Sequence, residues 1–191
     1  MERRFESCPF RFLERSGPAE VSMQAWSLPN IVRGGCHKAE PFCRNKNRHM
    51  NIIYNQLVPE LSVSSFPASL DFYTNILGFS IAYQREEEGF AFLVLENVQI
   101  MIDELGKGRD WKTAEFKYPL GRGINLQIEV KAIDPILTRL KKSGVGLFLE
   151  VEEKWYRKDD HEVGNKQFLV QDPDGYLLRF AEDLGERPIN S

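Results

Sequence analysis

Residues 50–191 contain no cysteine, because Cys8, Cys36 and Cys43 all precede them. A thiol nucleophile, a disulfide framework and a thiolate metal site are therefore excluded from that part of the chain. Long hydrophobic runs are also missing: nothing approaches the roughly 20 apolar residues of a membrane span. The opening Met1-Glu2-Arg3-Arg4-Phe5 is not followed by an apolar segment of secretory-signal length. No membrane partner and a cytoplasmic address are expected. An excess of positive charge is lacking too. The net charge is −3, but residues 1–49 hold 9 Lys+Arg against 5 Asp+Glu, and residues 50–191 hold 16 against 23, giving +4 and −7. An acidic body argues against a nucleic-acid role and suits a cationic small ligand.

What is present is an ordinary globular composition: 191 residues, 42% hydrophobic and 28% charged, enough for one sizeable core or two small, similar ones. The most informative stretch is Gln167 to Phe180. Two apolar runs flank Asp172-Pro173-Asp174-Gly175, where proline presets φ and glycine closes the turn, so the segment reads as a hairpin. Phe90 to Asp103 follows the same plan with a turn at Glu96-Asn97, and its Phe92-Leu93-Val94 recurs 76 residues later as Phe168-Leu169-Val170.

The flanking segments repeat as well. Gln56 to Val63 alternates as a strand, Ser64-Ser65 offers a helix N-cap, and Leu70, Tyr73, Ile76 and Leu77 recur at helical spacing before Gly78. Phe79 to Tyr83 begins the next strand. In the second half, Ile124 to Val130 alternates as a strand, Ile133, Ile136, Leu137 and Leu140 mark a helix, Gly144 ends it, and Val145 to Val151 follows as a strand. The offsets are 67 at the strand-end valines and 66 at the helix-ending glycines, so the ten extra residues of the later match are assigned to a loop over Glu152 to Gly164. Two tandem βαβββ units are the economical explanation. Between them, Glu104 to Gly123 is a connection whose Trp111, Phe116 and Tyr118 are expected to pack over the core edge. Residues 1–49 sustain no period and read as mostly disordered; Cys36, His37, Cys43 and His49 match no familiar zinc spacing. A further reading starts the natural product at Met50.

Leu61-Ser62-Val63, Ser69-Leu70-Asp71-Phe72-Tyr73, Leu77-Gly78-Phe79 and Asp172-Pro173-Asp174-Gly175 together resemble the vicinal-oxygen-chelate superfamily of glyoxalases, dioxygenases and bleomycin-resistance proteins. The resemblance covers residues 50–187, leaving a tail at 188–191. It implies an α+β fold in which modules at about 55–104 and 123–183 form cupped mixed sheets. The family's four metal-ligand positions fall on Val58, Met101, Asn125 and Arg179, none a usual ligand for a divalent ion, so no metal and no cofactor are expected.

Among metal-free members the chain looks most like bleomycin-resistance proteins, through Leu57-Val58-Pro59-Glu60-Leu61 and Gly89-Phe90-Ala91. The resemblance implies a homodimer exchanging its first strand around Pro59, which holds bleomycin or another cationic or flat aromatic molecule without altering it. The ligand-binding residues are then expected to be Phe90, Phe92, Trp111, Trp155 and Tyr156, with no catalytic residue. Trp155-Tyr156 takes the role of a second stacking aromatic, because Gly164-Asn165 occupies the family's usual place for it. The alternatives are a binder of another metabolite or an enzyme of the same superfamily, with Glu60, Asp103, Glu129 or His161 as acid or base; His161 is expected in a solvated loop.

Overall fold

The computed structural model describes residues 52–108 and 111–189, so the readings made for residues 1–49 fall outside the described residues. The first module runs β1 (Glu60–Val63), α1 (Phe66–Asp71), β2 (Ser80–Arg85), β3 (Phe90–Leu95) and β4 (Val98–Glu104). The second runs β5 (Asn125–Glu129), α2 (Asp134–Ser143), β6 (Leu149–Lys158), β7 (His161–Gln171) and β8 (Leu177–Pro188). The strand orders are β1-β4-β3-β2 and β5-β8-β7-β6. In each sheet the module's first strand lies parallel to its last and the other pairings are antiparallel. The α+β architecture of two βαβββ modules is thus observed.

Where the strands meet the core they alternate, and one face of each sheet joins a single apolar cluster. Leu61, Val63, Ile100 and Ile102 enter it from the first sheet, Ile128, Phe168, Leu178 and Phe180 from the second, and Phe72, Tyr73, Ile136 and Leu140 from the helical segments. At about 1.5–3 kcal/mol per fully buried side chain, this cluster stabilises the helices far more than propensity can, since α1 has only 6 residues. The chain continues from α1 as a wider π-helical segment, Phe72–Leu77, which stops at Gly78 in the left-handed region (φ 91°). Arg139 of α2 reaches across to this end, donating through Nε to Ile76 O at 2.9 Å and through Nη2 to Leu77 O at 2.7 Å.

The Asp-Pro-Asp-Gly turn does more than close the β7–β8 hairpin. Asp172 Oδ1 accepts from the backbone N–H groups of Asp174 and Tyr176, and its Oδ2 accepts from Tyr73 Oη at 2.9 Å. Asp174 accepts from Ser64 N at 3.0 and 3.1 Å and from Ser69 Oγ at 3.4 Å, tying the start of α1 to a turn 110 residues away. Both carboxylates are only 3% exposed. Tyr118 and Pro119 cross Gly175 so closely that a Cβ there would sit 2.3 Å from Pro119 Cβ.

Four expectations require correction. β1 starts at Glu60, not Gln56, because Pro59 has no N–H to extend the ladder, although its carbonyl accepts from Met101 N at 2.8 Å. The strand expected from Val145 begins only at Leu149. The loop assigned to Glu152–Gly164 is instead the outer part of a long β6–β7 hairpin turning at Asp159-Asp160, so the surplus residues lengthen strands. Its charge-rich sequence reads as loop because few of its side chains are apolar; the Arg187 Nε–Glu162 Oε2 pair at 2.7 Å ties its β7 arm to β8. Finally, Trp111 and Tyr118 are 67% and 66% exposed, so most of each ring faces water, while Phe116 is half-buried.

Candidate functional site

The face of each sheet turned away from the shared core carries the functional candidates. On the first sheet, Glu60, Met101, Phe92 and Tyr83 form one row across β1, β4, β3 and β2, and Ser62, Asp103, Phe90 and Arg85 form the next. The rings stack in a continuous array. Tyr83 lies over Phe92 at 5.2 Å and 17°, and is tilted against Phe90 at 5.9 Å. Tyr54 meets Phe92 edge-on at 5.5 Å, and the Arg85 guanidinium sits 3.9 Å from the Phe90 centroid. Phe90 and Phe92 are therefore the buried layer of the platform, at 5% and 3% exposure, while Tyr83 and Tyr54 form its surface at 38% and 59%. Tyr54, Tyr83 and Arg85 were missed from the sequence. Their signal was there: Tyr83 and Arg85 alternate on a strand whose partner carries Phe92 and Phe90.

Acidic groups rim this platform. Burial, reinforced by Asp103, raises the Glu60 carboxyl above its usual range, although Arg85 opposes the shift. Near the turn at Glu96-Asn97 lies a cavity of about 370 Å³ lined by Glu96, Glu129, Asp183 and Lys131 among others, so Glu129 is not on the same sheet face as Glu60 and Asp103. His161 opens β7, opposite Lys158 and Pro188, and is not in a solvated loop: its Nδ1 lies 2.9 Å from Asp160 Oδ1, and its side chain is 28% exposed.

The outward face of the second sheet differs in chemistry. Gln127, Arg179, Leu169 and Leu149 form one row, and Glu129, Ala181, Gln167 and Glu152 the next. Gln167 donates through Nε2 to Tyr156 Oη and Glu152 Oε1, both at 2.8 Å. Trp155 leaves β6 on the opposite face from its neighbour Tyr156. Its ring is covered by the Arg187 guanidinium at 4.0 Å and would touch a Cβ at Gly164 at 2.7 Å. A single stacking surface made of Trp155 and Tyr156 is thus ruled out by strand geometry.

Of the positions matching the family's metal ligands, Met101 lies beside Glu60, Arg179 beside Gln127 and Asn125 beside Leu177, with Val58 just ahead of β1. A thioether, a guanidinium, an amide and an alkyl group do not fit a divalent ion. Among the described residues no three of His, Cys, Asp and Glu gather to hold one. No helix among them is long and apolar enough to cross a membrane.

The family profile described as the Glyoxalase/Bleomycin resistance protein/Dioxygenase superfamily matches residues 53–180. The chain belongs to this superfamily. It is 27% identical over 138 residues to a bleomycin resistance protein of Geobacillus stearothermophilus, covering 68% of this chain and 97% of that one. A superfamily member from Vibrio splendidus 12B01 is 35% identical, with 66% and 97% coverage and a TM-score of 0.31. TioX from Micromonospora sp. ML1, 20% identical, superposes with a TM-score of 0.53 over 69% of this chain and 100% of its own, which supports the superfamily fold.

Proposed function

We propose that this superfamily member is a non-enzymic binding protein that sequesters a bleomycin-type glycopeptide, or a similar flat cationic molecule, as a homodimer in the cytoplasm. The observation that carries this reading is the aromatic platform on the first sheet. Planar heteroaromatic rings stack on Tyr83 and Tyr54, Phe90 and Phe92 hold those rings in place from beneath, and the acidic rim of Glu60 and Asp103 complements a cation. The net charge of −7 over residues 50–191 acts in the same direction and disfavours nucleic acid. Similarity to proteins named bleomycin resistance proteins supports the choice of ligand.

In the dimer, exchange of the segment around Pro59 would replace the pairing that β1 makes here with its own β4. Tyr156 and Trp111 are proposed to contribute from the outward face of the second sheet and the connection, and Trp155 separately, from the opposite face of β6. Titration with metal-free bleomycin, followed by calorimetry, tests the reading. Binding at about micromolar affinity is expected, with Phe90→Ala and Trp155→Ala weakening it. Absence of heat at that concentration removes the proposal, and unchanged affinity in both variants removes the site.

A second reading is an acid–base enzyme of the superfamily, favoured by the raised Glu60 carboxyl beside Asp103. Loss of a turnover activity in Glu60→Gln with intact folding would select it.

A further inference from the structure

Pro59, just ahead of β1, has no N–H with which to extend the ladder on β4. The segment before it, which brings Tyr54 to Phe92, is therefore not held as a strand. Nor is it held by burial, since Ile53 and Leu57 are 88% and 83% exposed. Among the described residues, the hydrogen bonds of residues 53–57 run to β4 and to the turn ahead of it. Gln99 Nε2 donates to Ile53 O at 2.7 Å, Gln99 Oε1 accepts from Asn55 N at 2.8 Å, and Asn55 Nδ2 donates to Asn97 O at 2.8 Å. Gln99 stands two residues before Met101 on β4, so it shares the outward face of the first sheet, yet it is only 6% exposed. A carboxamide carries a donor and an acceptor side by side, as the peptide groups of a neighbouring strand do, so one side chain replaces the missing ladder. The two backbone groups it grips flank Tyr54.

We propose that Gln99 is the positioning residue of the aromatic platform: by gripping the backbone on either side of Tyr54, it sets that ring edge-on to Phe92 and fixes the corner that receives a flat guest. Tyr83 lies nearly parallel to Phe92, at 17°, and Tyr54 nearly perpendicular to it, at 83°, so the two exposed rings stand at a steep angle to each other. A ring stacked on one presents its edge to the other, an arrangement that the aromatic quadrupoles favour. Holding Tyr54 in place beforehand also removes the cost of ordering it when the guest arrives. The importance of Gln99 for the ligand rests on the reading of this platform as the binding site. Because the grip is on backbone groups, it is the same when exchange around Pro59 supplies the segment from a second copy of the chain.

The test replaces Gln99 in the full chain by leucine, which is similar in size and makes no hydrogen bond. The first readout is the proton spectrum of the Tyr54 ring, assigned by its disappearance in Tyr54→Leu. Wild type is expected to show ring-current shifts from Phe92, and Gln99→Leu to lose them while the core methyl signals stay in place. Gln99→Glu adds a readout that a merely structural role would not move. A protonated carboxyl donates to Ile53 O and accepts from Asn55 N, whereas a carboxylate has no proton to donate. In this variant the Tyr54 signals should match wild type at about pH 4 and the leucine variant at about pH 8, a change absent from wild type. The second readout is affinity for metal-free bleomycin. Gln99→Leu and Tyr54→Ala should each weaken it about three- to tenfold, and the double variant no further. Tyr54 signals unmoved in Gln99→Leu, or two losses that multiply, overturn the proposal. If wild-type protein binds no bleomycin, the ligand reading falls, while the ring signals still decide whether Gln99 holds Tyr54, so the two failures are distinguishable.

Discussion

Replacing Asp174 by alanine tests whether the two modules are held together at one buried carboxylate. Asp174 is 3% exposed and accepts from Ser64 N at 3.0 and 3.1 Å and from Ser69 Oγ at 3.4 Å, partners that belong to the other module. A hydrogen bond to a charged group contributes about 1.5–3 kcal/mol, and the longer serine contact about 1 kcal/mol or less. Truncation also leaves the Ser64 N–H and Ser69 hydroxyl without an acceptor where little water reaches, which raises the cost. The expected loss is about 3–4 kcal/mol in urea unfolding, or about 10–15 °C in melting temperature for a domain of this size. Ser69→Ala alone should cost about 1 kcal/mol. A double-mutant cycle between the two positions should return a coupling of about 0.5–1 kcal/mol, because the partners touch. If Asp174→Ala unfolds within about 1 kcal/mol of wild type, the turn is merely a hairpin closure and the account of module docking is wrong.

Burial pushes the Asp172 carboxyl up to about 6 from an ordinary 3.8, against the lowering effect of its hydrogen bonds from Tyr176, Tyr73 and Asp174. The folded state therefore holds this proton more tightly than the unfolded chain does. Its stabilising contribution is complete below pH 3.8 and is lost as pH rises through about 6, by up to roughly 3 kcal/mol. Asp172→Asn should flatten that slope in urea titrations between those pH values; an unchanged slope would assign it to other groups. Gly164→Ala should destabilise by about 1–3 kcal/mol because the new methyl meets the Trp155 ring at 2.7–2.8 Å, and Trp155→Leu should relieve most of that loss. Phe92→Ala should cost about 3 kcal/mol or more and Tyr83→Ala about 1 kcal/mol or less, given their 3% and 38% exposure. Equal losses in chemical denaturation would contradict the layering of the platform.

The duplication and most element types were legible in the chain because they depend on local periodicity and turn chemistry. Strand alternation, helix-ending Gly78 and Gly144, and the Asp-Pro-Asp-Gly turn each report conformation within a few residues. The β6–β7 hairpin was misread for the converse reason: a strand with few apolar side chains has no hydrophobic alternation, and only its cross-strand partners at Gly164, Lys166 and Glu162 make it a strand. Phe90 and Phe92 could be singled out, but not their burial under Tyr83, Tyr54 and Arg85, since stacking depends on register between β2 and β3 and on where the segment before β1 lies. The sequence alone placed Arg179 where the family carries a metal ligand. That it points from the same sheet face as Gln127, Leu169 and an unsatisfied Gln167 was decided only by the pairing of three strands, because side-chain neighbours across a sheet are set by hydrogen-bond register and not by distance along the chain.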